Sequence, residues 1–187
     1  MIVIKENGVV YLAETAFAAT RDGQVDAGRL TENMPICRIA GTRALVGGAG
    51  ECSAPDLDRI RYLRLPFPRE LTVPSLHAII PKIADSINRI GNLRKGRIMT
   101  DLVFAKGDRA FLFIDGRSFQ EVESLETFGW RNVEYRYALG LCADLPPVER
   151  IRRANRLMEK YIGAKLFPMI LWDTKTLAPR LLEEVEK

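Results

Sequence analysis

Residues 2–13 read IVIKENGVVYLA, which is two runs of strand-forming residues on either side of a polar turn that contains Asn7-Gly8. Asn-Gly provides the positive φ angles that a tight hairpin turn requires. The β-branched and other apolar residues on both sides favour extended backbone. This segment therefore predicts an antiparallel β-hairpin.

Further strands are predicted at several places along the chain. Residues 36–40 are typical of a short strand, and residues 44–50 of a buried strand that is rich in glycine at its end. Four later apolar runs are separated by turn residues, which predicts an antiparallel meander. These runs are residues 98–105, 109–114, 119–122 and 132–139, and a last short strand is predicted at residues 169–172.

Three helices are predicted between these strands. The first opens at a capping box of Ser53 and Asp56, and the second covers residues 74–90, where Pro81 is expected to introduce a kink. The third begins near Pro146 and ends at Gly163. Helical spacing predicts the buried faces, which are Leu57, Ile60 and Leu63 in the first helix and Ile151, Ala154, Met158 and Tyr161 in the third.

The order of these elements favours an α+β fold. Two antiparallel sheets covered by helices on their outer faces explain the order better than one parallel sheet does. No linker, repeat or low-complexity segment divides the sequence. We therefore expect residues 1–187 to form a single domain, with a C-terminal tail from about residue 174.

The composition is that of a globular protein. Hydrophobic residues make up 47% and charged residues 28% of the 187 residues, which excludes a disordered or collagen-like chain. Apolar runs such as residues 44–49 are much shorter than the roughly 20 residues that cross a bilayer, and no signal-peptide pattern is seen. We expect no membrane partner and a cytoplasmic location, or a place within a virion if the source is viral. The sequence contains three cysteines, Cys37, Cys52 and Cys142. Because their number is odd and they are widely spaced, they are expected to be free thiols.

The formal net charge of +4 raises the alternative of a module that binds nucleic acid or another anion. Acidic residues are interleaved with the basic clusters, which favours solvated helix faces instead. In the third predicted helix, Arg152, Arg153 and Arg156 are expected to point outward, as a candidate interface for an acidic partner surface.

Few residues offer catalytic or metal-binding chemistry. His77 is the single histidine, and no Cys-x-x-Cys pair is present, so neither a zinc site nor a cofactor is expected. The glycine cluster at residues 47–50 lacks the Lys-Ser/Thr of a phosphate-binding loop. It is expected either to allow close packing or to present backbone N–H groups to a ligand or an oxyanion.

The hairpin at residues 2–14, together with ALVGGAGEC at residues 44–52 at the start of a helix, resembles proteasome β-type subunits and their bacterial ring-protease relatives. Residues 102–105, 111–116 and 137–140 are also similar to that family in order and spacing, so the resemblance covers about residues 1–140. It implies the N-terminal-nucleophile hydrolase fold, a four-layer αββα sandwich whose members assemble into rings.

The resemblance also implies a catalytic pocket that this sequence does not reproduce. Active members attack the peptide carbonyl with the hydroxyl of a first-residue threonine, whose own amine serves as the base. When the Asn7-Gly8 turn is matched, Met1 falls about two positions after that nucleophile. The family's acidic residue then corresponds to Glu14, its lysine to about Pro35 and its oxyanion-hole glycine to Gly47. These positions are expected to form a vestigial pocket with no catalytic residue.

Together, these interpretations predict a protein that is not an enzyme. The expected role is a catalytically silent proteasome-like subunit, a homo-oligomer that acts as a structural or scaffold protein, with other subunits of a larger cellular or viral assembly as further partners. Two alternatives stay open. One is a hydrolase with a non-terminal nucleophile such as Thr15, Cys37 or Cys52. The other is the anion or nucleic-acid-binding module, with nucleic acid the less favoured partner.

Overall fold

The computed structural model describes residues 1–15, 36–50, 67–88, 100–114, 118–129, 131–163 and 169–182. This part of the chain forms ten strands and three helices. The strands are β1 (Ile2–Glu6), β2 (Val9–Thr15), β3 (Ile36–Arg38), β4 (Ala44–Gly50), β5 (Thr100–Lys106), β6 (Arg109–Ile114), β7 (Ser118–Glu121), β8 (Leu125–Thr127), β9 (Met169–Asp173) and β10 (Arg180–Leu182). The helices are α1 (Val73–Asn88), α2 (Asn132–Gly140) and α3 (Pro147–Ile162).

The predicted hairpin is confirmed as the centre of the first sheet. Asn7 and Gly8 have φ angles of 52° and 74°, so the turn takes the left-handed conformation that the Asn-Gly pair favours. Strands β1 and β2 pair with Ile2 opposite Ala13. The first sheet has the strand order β10-β9-β2-β1-β8 with antiparallel neighbours throughout, and we call it sheet 1.

The second sheet, which we call sheet 2, contains the other five strands in the order β3-β4-β5-β6-β7. Its neighbours are also antiparallel. The strands predicted at residues 36–40, 44–50, 98–105, 109–114 and 119–122 fall on these five elements. Only a few residues separate β3 from β4, β5 from β6 and β6 from β7, which antiparallel pairing allows, whereas residues 51–99 lie between β4 and β5.

Three apolar clusters show that the fold has four layers. The first cluster lies between the sheets and contains Val3, Leu12, Leu45 and Leu112. The second packs α1 against the outer face of sheet 2, and the third packs α2 and α3 against the outer face of sheet 1. The αββα sandwich of two antiparallel sheets is therefore confirmed. None of the three described helices is long and apolar enough to span a bilayer.

The strand predicted at residues 132–139 is wrong, because this segment forms helix α2. Its buried residues are Tyr135, Ala138 and Leu139, which is the i, i+3, i+4 spacing of a helix that packs on one face. Val133 and Tyr137, which belong to the predicted strand, are exposed to solvent. Strand β8 takes the place beside β1 and was not predicted.

The other predicted helices are only partly covered by the described residues. Helix α1 contains Pro81 as expected and is described to Asn88, whereas the helix predicted around Leu57, Ile60 and Leu63 lies outside these residues. Helix α3 ends at Gly163, which has a φ of 70° as its C-cap. Ile151, Ala154 and Met158 are buried as predicted, but Tyr161 is exposed, which corrects its expected position against the sheet.

The chain after residue 174, where we expected a tail, contains β10, which pairs with β9 at the edge of sheet 1. The connection between the two strands is closed by Asp173, whose carboxylate accepts hydrogen bonds from the amides of Lys175 and Thr176 at 3.0 and 2.7 Å. Arg180 approaches the same carboxylate at 2.9 Å. Thr174 links the two sheets, because its hydroxyl accepts from the Val10 amide and donates to the Gly107 carbonyl.

Asp173→Asn is expected to lower the free energy of unfolding by about 1–2 kcal/mol at pH 7, the scale of losing the charge in such hydrogen bonds. Burial opposes ionisation of Asp173, but the hydrogen bonds from Thr176 and Lys175, together with the charge of Arg180, lower the pKa of its carboxyl. Because the carboxyl of Asp173 has a lower pKa in the folded protein than its unfolded value of about 4, its charge stabilises the fold above that pH. This stabilisation is lost as the pH falls through the pKa of the folded state.

Urea unfolding of the wild type and of Asp173→Asn at pH 7 and at pH 3 measures this effect. The difference between their free energies of unfolding should shrink at pH 3. Glu123→Gln, which removes an exposed carboxylate, is the matched control and should change stability little at either pH. A difference between Asp173→Asn and wild type that grows on acidification would contradict the assignment.

Candidate functional site

The structure brings Met1, Glu14 and Gly47 together at one end of the layer between the two sheets. Pro35 lies outside the described residues, although its neighbour Ile36 pairs directly with Gly47 across β3 and β4. Met1 belongs to the apolar cluster between the sheets, as do Ile36 and Val103. Three of the four positions that the resemblance placed in a vestigial pocket are therefore neighbours.

The amino group of Met1 is held by two acceptors. It lies 2.5 Å from Oε2 of Glu14 and donates a hydrogen bond to the carbonyl of Phe128 at 2.9 Å. The Phe128 amide in turn donates to the Met1 carbonyl at 3.1 Å, which extends the pairing of β1 with β8. The Met1 side chain is buried and that of Glu14 is 15% exposed, so little water reaches this ion pair.

The register of the hairpin explains why Glu14 lies at this position. Because Ile2 pairs with Ala13, the next position outward brings Met1 opposite Glu14. Side chains alternate between the two faces of a strand, so Glu14 lies on the same face as Val10 and Leu12, which line the layer between the sheets. The Asn7-Gly8 turn sets this register, and the register places the Glu14 carboxylate at the end of β1 where Met1 lies.

Gly47 provides space for the Met1 side chain. A Cβ atom on Gly47 would lie 2.9 Å from Cε of Met1, 3.0 Å from Cγ1 of Val103 and 3.4 Å from Cγ1 of Ile36. These separations are too short for most larger residues without a shift of the neighbours. The face of Gly47 is thus covered by a thioether and two aliphatic side chains, none of which carries a nucleophilic oxygen or thiol.

The architecture is shared with solved structures. BPH of Thiobacillus denitrificans, in a structure with epoxomicin, has a TM-score of 0.69 and 13% sequence identity, and the match covers 92% of this chain and 96% of that chain. The structure titled simply as BPH of the same organism gives the same score and identity over 92% and 95% of the two chains. Eukaryotic HslV from Trypanosoma brucei has a TM-score of 0.55 and 13% sequence identity, and the match covers 92% of this chain and 97% of that chain.

This chain has a proteasome-like fold. At 13% identity the likeness establishes the architecture alone. No protein-family model matches the sequence, and no curated protein matches it. The expected proteasome-like αββα sandwich is confirmed as a fold.

Of the non-terminal nucleophiles considered from the sequence, only Cys37 has a described side chain in this proteasome-like chain, and it does not join the Met1 site. Cys37 is buried in the cluster under α1, on the face of sheet 2 that points away from Met1. Thr15 is the last residue of β2, its side chain is outside the description, and Cys52 lies outside it entirely. His77 is exposed on α1 and contacts the Phe119 ring edge-on at 5.0 Å. Among the described residues, no group of three or more His, Cys, Asp or Glu side chains is placed to hold a metal.

The arginines of α3 differ in their surroundings. Arg152 lies 2.6 Å from Glu149 one turn earlier, Arg153 is exposed, and Arg156 is half-buried. Arg150, which was not among the predicted interface residues, binds Glu6 at 3.0 Å and the carbonyls of Ala143 and Leu145. Part of the basic charge on this helix therefore holds the proteasome-like domain together, and the interface role of Arg152, Arg153 and Arg156 stays a prediction.

Sequence reasoning missed an apolar groove between α2 and α3. The groove encloses about 510 Å³, and its lining includes Val133, Tyr137, Leu141 and Tyr161, which are 60–72% exposed. Val133, Tyr137 and Leu141 recur at intervals of four residues, as do Leu157 and Tyr161 on α3. That spacing was the available signal, but the strand predicted at residues 132–139 concealed it.

Proposed function

We propose that this proteasome-like chain is a catalytically silent subunit that acts as a self-assembling structural protein within a larger cellular or viral assembly. The observation that carries the proposal is the position of Met1. Its amine is bound to Glu14 and Phe128, and its side chain covers Gly47. The resemblance matches Glu14 to the acidic residue and Gly47 to the oxyanion-hole glycine of active family members, whereas Met1 falls about two positions after their nucleophile.

The chemistry of the site supports this role. A nucleophile has to reach a carbonyl carbon while the resulting oxyanion is met by hydrogen-bond donors about 3 Å away. Here a thioether, which has no proton to give up and is a poor nucleophile, lies against the glycine. The carboxylate of Glu14 holds the end of β1 in place, so that the pocket is filled with contacts that stabilise the fold.

Self-association is supported by the outer helical layer. Exposed large apolar side chains are concentrated on α2 and α3, where a partner would remove them from water. The anion-binding alternative is less well supported, because Arg150 and Arg152 are engaged by Glu6 and Glu149 in the same chain. A salt-dependent electrophoretic shift with nucleic acid would favour that alternative instead.

The purified protein is expected to show no threonine-type peptidase activity and no covalent adduct with epoxomicin, because the three described side chains nearest to Gly47, those of Met1, Val103 and Ile36, carry no hydroxyl nucleophile. Intact-mass spectrometry after incubation with epoxomicin measures adduct formation and also reports the residue at the N-terminus. BPH of Thiobacillus denitrificans, which has been captured with this compound, is the positive control.

Turnover of peptide amides that epoxomicin abolishes, or a mass increase equal to the inhibitor, would contradict the proposal. Turnover that a thiol reagent abolishes would contradict it in favour of a cysteine hydrolase. The parallel test of assembly is the native mass in solution at micromolar concentration and physiological salt, where a monomer would contradict the structural role.

A further inference from the structure

The groove between α2 and α3 has the size and composition of a small-molecule site. It encloses about 510 Å³. Most ligand pockets enclose roughly 300–1,000 Å³ and are mainly apolar, with a few polar groups. Tyr135 holds the two helices together, because its hydroxyl donates a hydrogen bond to Oδ1 of Asn155 at 2.9 Å. The buried residues Ala138 and Met158 form the floor, so the groove is already formed before a ligand enters it.

The lining of the groove changes along its length. Residues 141–146 connect the helices, so α2 and α3 run antiparallel and the last turn of α3 lies beside the first turn of α2. Glu134 and Tyr137 are three residues apart and share one face of α2, and Tyr161 joins them from the last turn of α3. Leu141 and Leu157 continue the lining toward the other end. One end of the groove is thus acidic and aromatic, and the other end is aliphatic.

Glu134 is the single charged side chain among the described residues that line the groove. Its ion pair with Arg131 is 3.6 Å long, and the two side chains are 37% and 34% exposed. An exposed pair of this kind is weak, and a carboxylate has two oxygens, so Glu134 keeps the capacity to accept a second cation. No arginine or lysine of the described helix α3 belongs to the lining. The charge of the groove therefore favours a cationic group over an anionic one.

Two tyrosine rings at the same end favour a particular kind of cation. Tyr137 and Tyr161 are 70% and 72% exposed, so both rings are accessible to a ligand. The face of an aromatic ring attracts cations, and quaternary ammonium groups are commonly recognised in this way. A primary ammonium group is compact and strongly hydrated. An alkylated ammonium group gives up less hydration, because it presents methyl groups to the rings while its charge is attracted to Glu134.

We propose that the groove binds an amphiphilic alkylammonium ion, a small molecule with one quaternary ammonium group and an aliphatic chain. The ammonium group lies between Tyr137 and Tyr161 and beside Glu134, and the aliphatic chain packs over Met158 and along Leu157. An anionic amphiphile would bring its charge against Glu134, and a neutral one would gain no attraction from that carboxylate. This inference goes beyond the proposed structural role and does not depend on it, because a single chain forms the whole groove.

The site is tested with decyltrimethylammonium, used below its micelle concentration, and with decyl sulfate and decyl maltoside as comparison ligands that carry the same chain. Each ligand is titrated into the full chain with isotope-labelled methionine methyl groups. The signal of Met158, assigned with Met158→Leu, reports occupancy of the groove. We expect a saturable shift with decyltrimethylammonium, and dissociation constants at least tenfold larger for the sulfate and the maltoside. Equal affinities for the three ligands, or no saturable shift with the cation, would overturn the proposal.

Variants of the acidic and aromatic end test the position of the ammonium group. Glu134→Gln is expected to weaken decyltrimethylammonium binding about three- to fivefold and to leave decyl maltoside binding unchanged, since only the charge is removed. Replacing Tyr137 and Tyr161 together with Leu keeps the lining apolar and is expected to weaken binding of the cation at least fivefold. Because these side chains are exposed, circular dichroism and thermal unfolding of the variants should match wild type.

Glu123→Gln, which removes an exposed carboxylate outside the groove, is the matched control and should leave the affinity for every ligand unchanged. Groove variants that bind decyltrimethylammonium as tightly as wild type would overturn the proposal. An equal loss of decyl maltoside and decyltrimethylammonium binding in Glu134→Gln would also overturn it, because the carboxylate would then act through the shape of the groove and not through its charge.

Discussion

Ile151→Asp is expected to abolish the folded state. Ile151 has no exposed surface and lies between α3 and sheet 1, among Ile2, Ile4 and Leu139. An aspartate there would be an unpaired buried charge, which costs several kcal/mol, and whole domains are stable by only about 5–15 kcal/mol. Far-UV circular dichroism and the soluble yield of the variant measure the outcome.

Two variants control for other causes of this loss. Ile151→Val removes one methylene and is expected to cost only about 0.5–1.5 kcal/mol. Replacing Arg152, Arg153 and Arg156 together with Ala should change the free energy of unfolding by about 1 kcal/mol or less, since ion pairs near the surface contribute little. If these arginines of α3 form an interface, the same triple variant should weaken assembly. Unfolding of the triple variant comparable to that of Ile151→Asp would show that the arginines are structural.

Glu14→Gln is expected to lower the free energy of unfolding by about 3 kcal/mol, the lower end of the cost of breaking a buried ion pair. The substitution keeps a side chain of the same size but leaves the buried amino group of Met1 without its counter-charge. The Phe128 carbonyl still accepts one hydrogen bond from that amine, which keeps the cost at this lower end. Chemical unfolding at neutral pH measures the change.

Glu134→Gln is the matched control, because it breaks a longer and more exposed pair with Arg131 at 3.6 Å. Its expected cost is below about 1 kcal/mol. Equal losses for the two variants would mean that burial of the Met1 amine adds nothing to the strength of its ion pair.

The part of the fold that sequence predicted best is the part that local chemistry determines. Asn7-Gly8 specifies both the turn and the register of β1 with β2, and the register brings Met1 to Glu14. In the same way, Gly163 ends α3 because glycine takes the left-handed conformation without steric cost. These predictions needed only a few neighbouring residues.

The error at α2 has a physical cause. Val133, Tyr135, Tyr137 and Leu139 alternate as in a strand, whereas Tyr135, Ala138 and Leu139 follow helical spacing, so the segment contains both patterns. Packing against α3 and sheet 1 selects the helix. Of the four alternating residues, Val133 and Tyr137 remain exposed in the groove, so half of the misleading pattern lies on the surface of the protein.

Only part of the Met1 site could be predicted from the sequence, because one of its contacts joins residues that are far apart in the chain. Glu14 follows from the hairpin, and Gly47 followed from the resemblance. Phe128, which pairs with Met1 through two backbone hydrogen bonds, lies 127 positions away and its side chain takes no part in them. Strand β8 has three residues and β10 likewise, which is too short for alternation to be recognised.

The strand order of the two sheets has a consequence for how the chain folds. Sheet 2 uses β3 to β7 in sequence order, so each strand can pair as soon as the next one has been made, although residues 51–99 separate β4 from β5. Sheet 1 joins β2 to β9, with Tyr11 opposite Asp173, and joins β1 to β8. An isolated hairpin is marginal in water. The surroundings of Met1 are therefore completed only when Phe128, directly after β8, has emerged from the ribosome, although β1 and β2 are made long before. Sheet 1 also needs β9, so we expect sheet 1 and its helices to fold late.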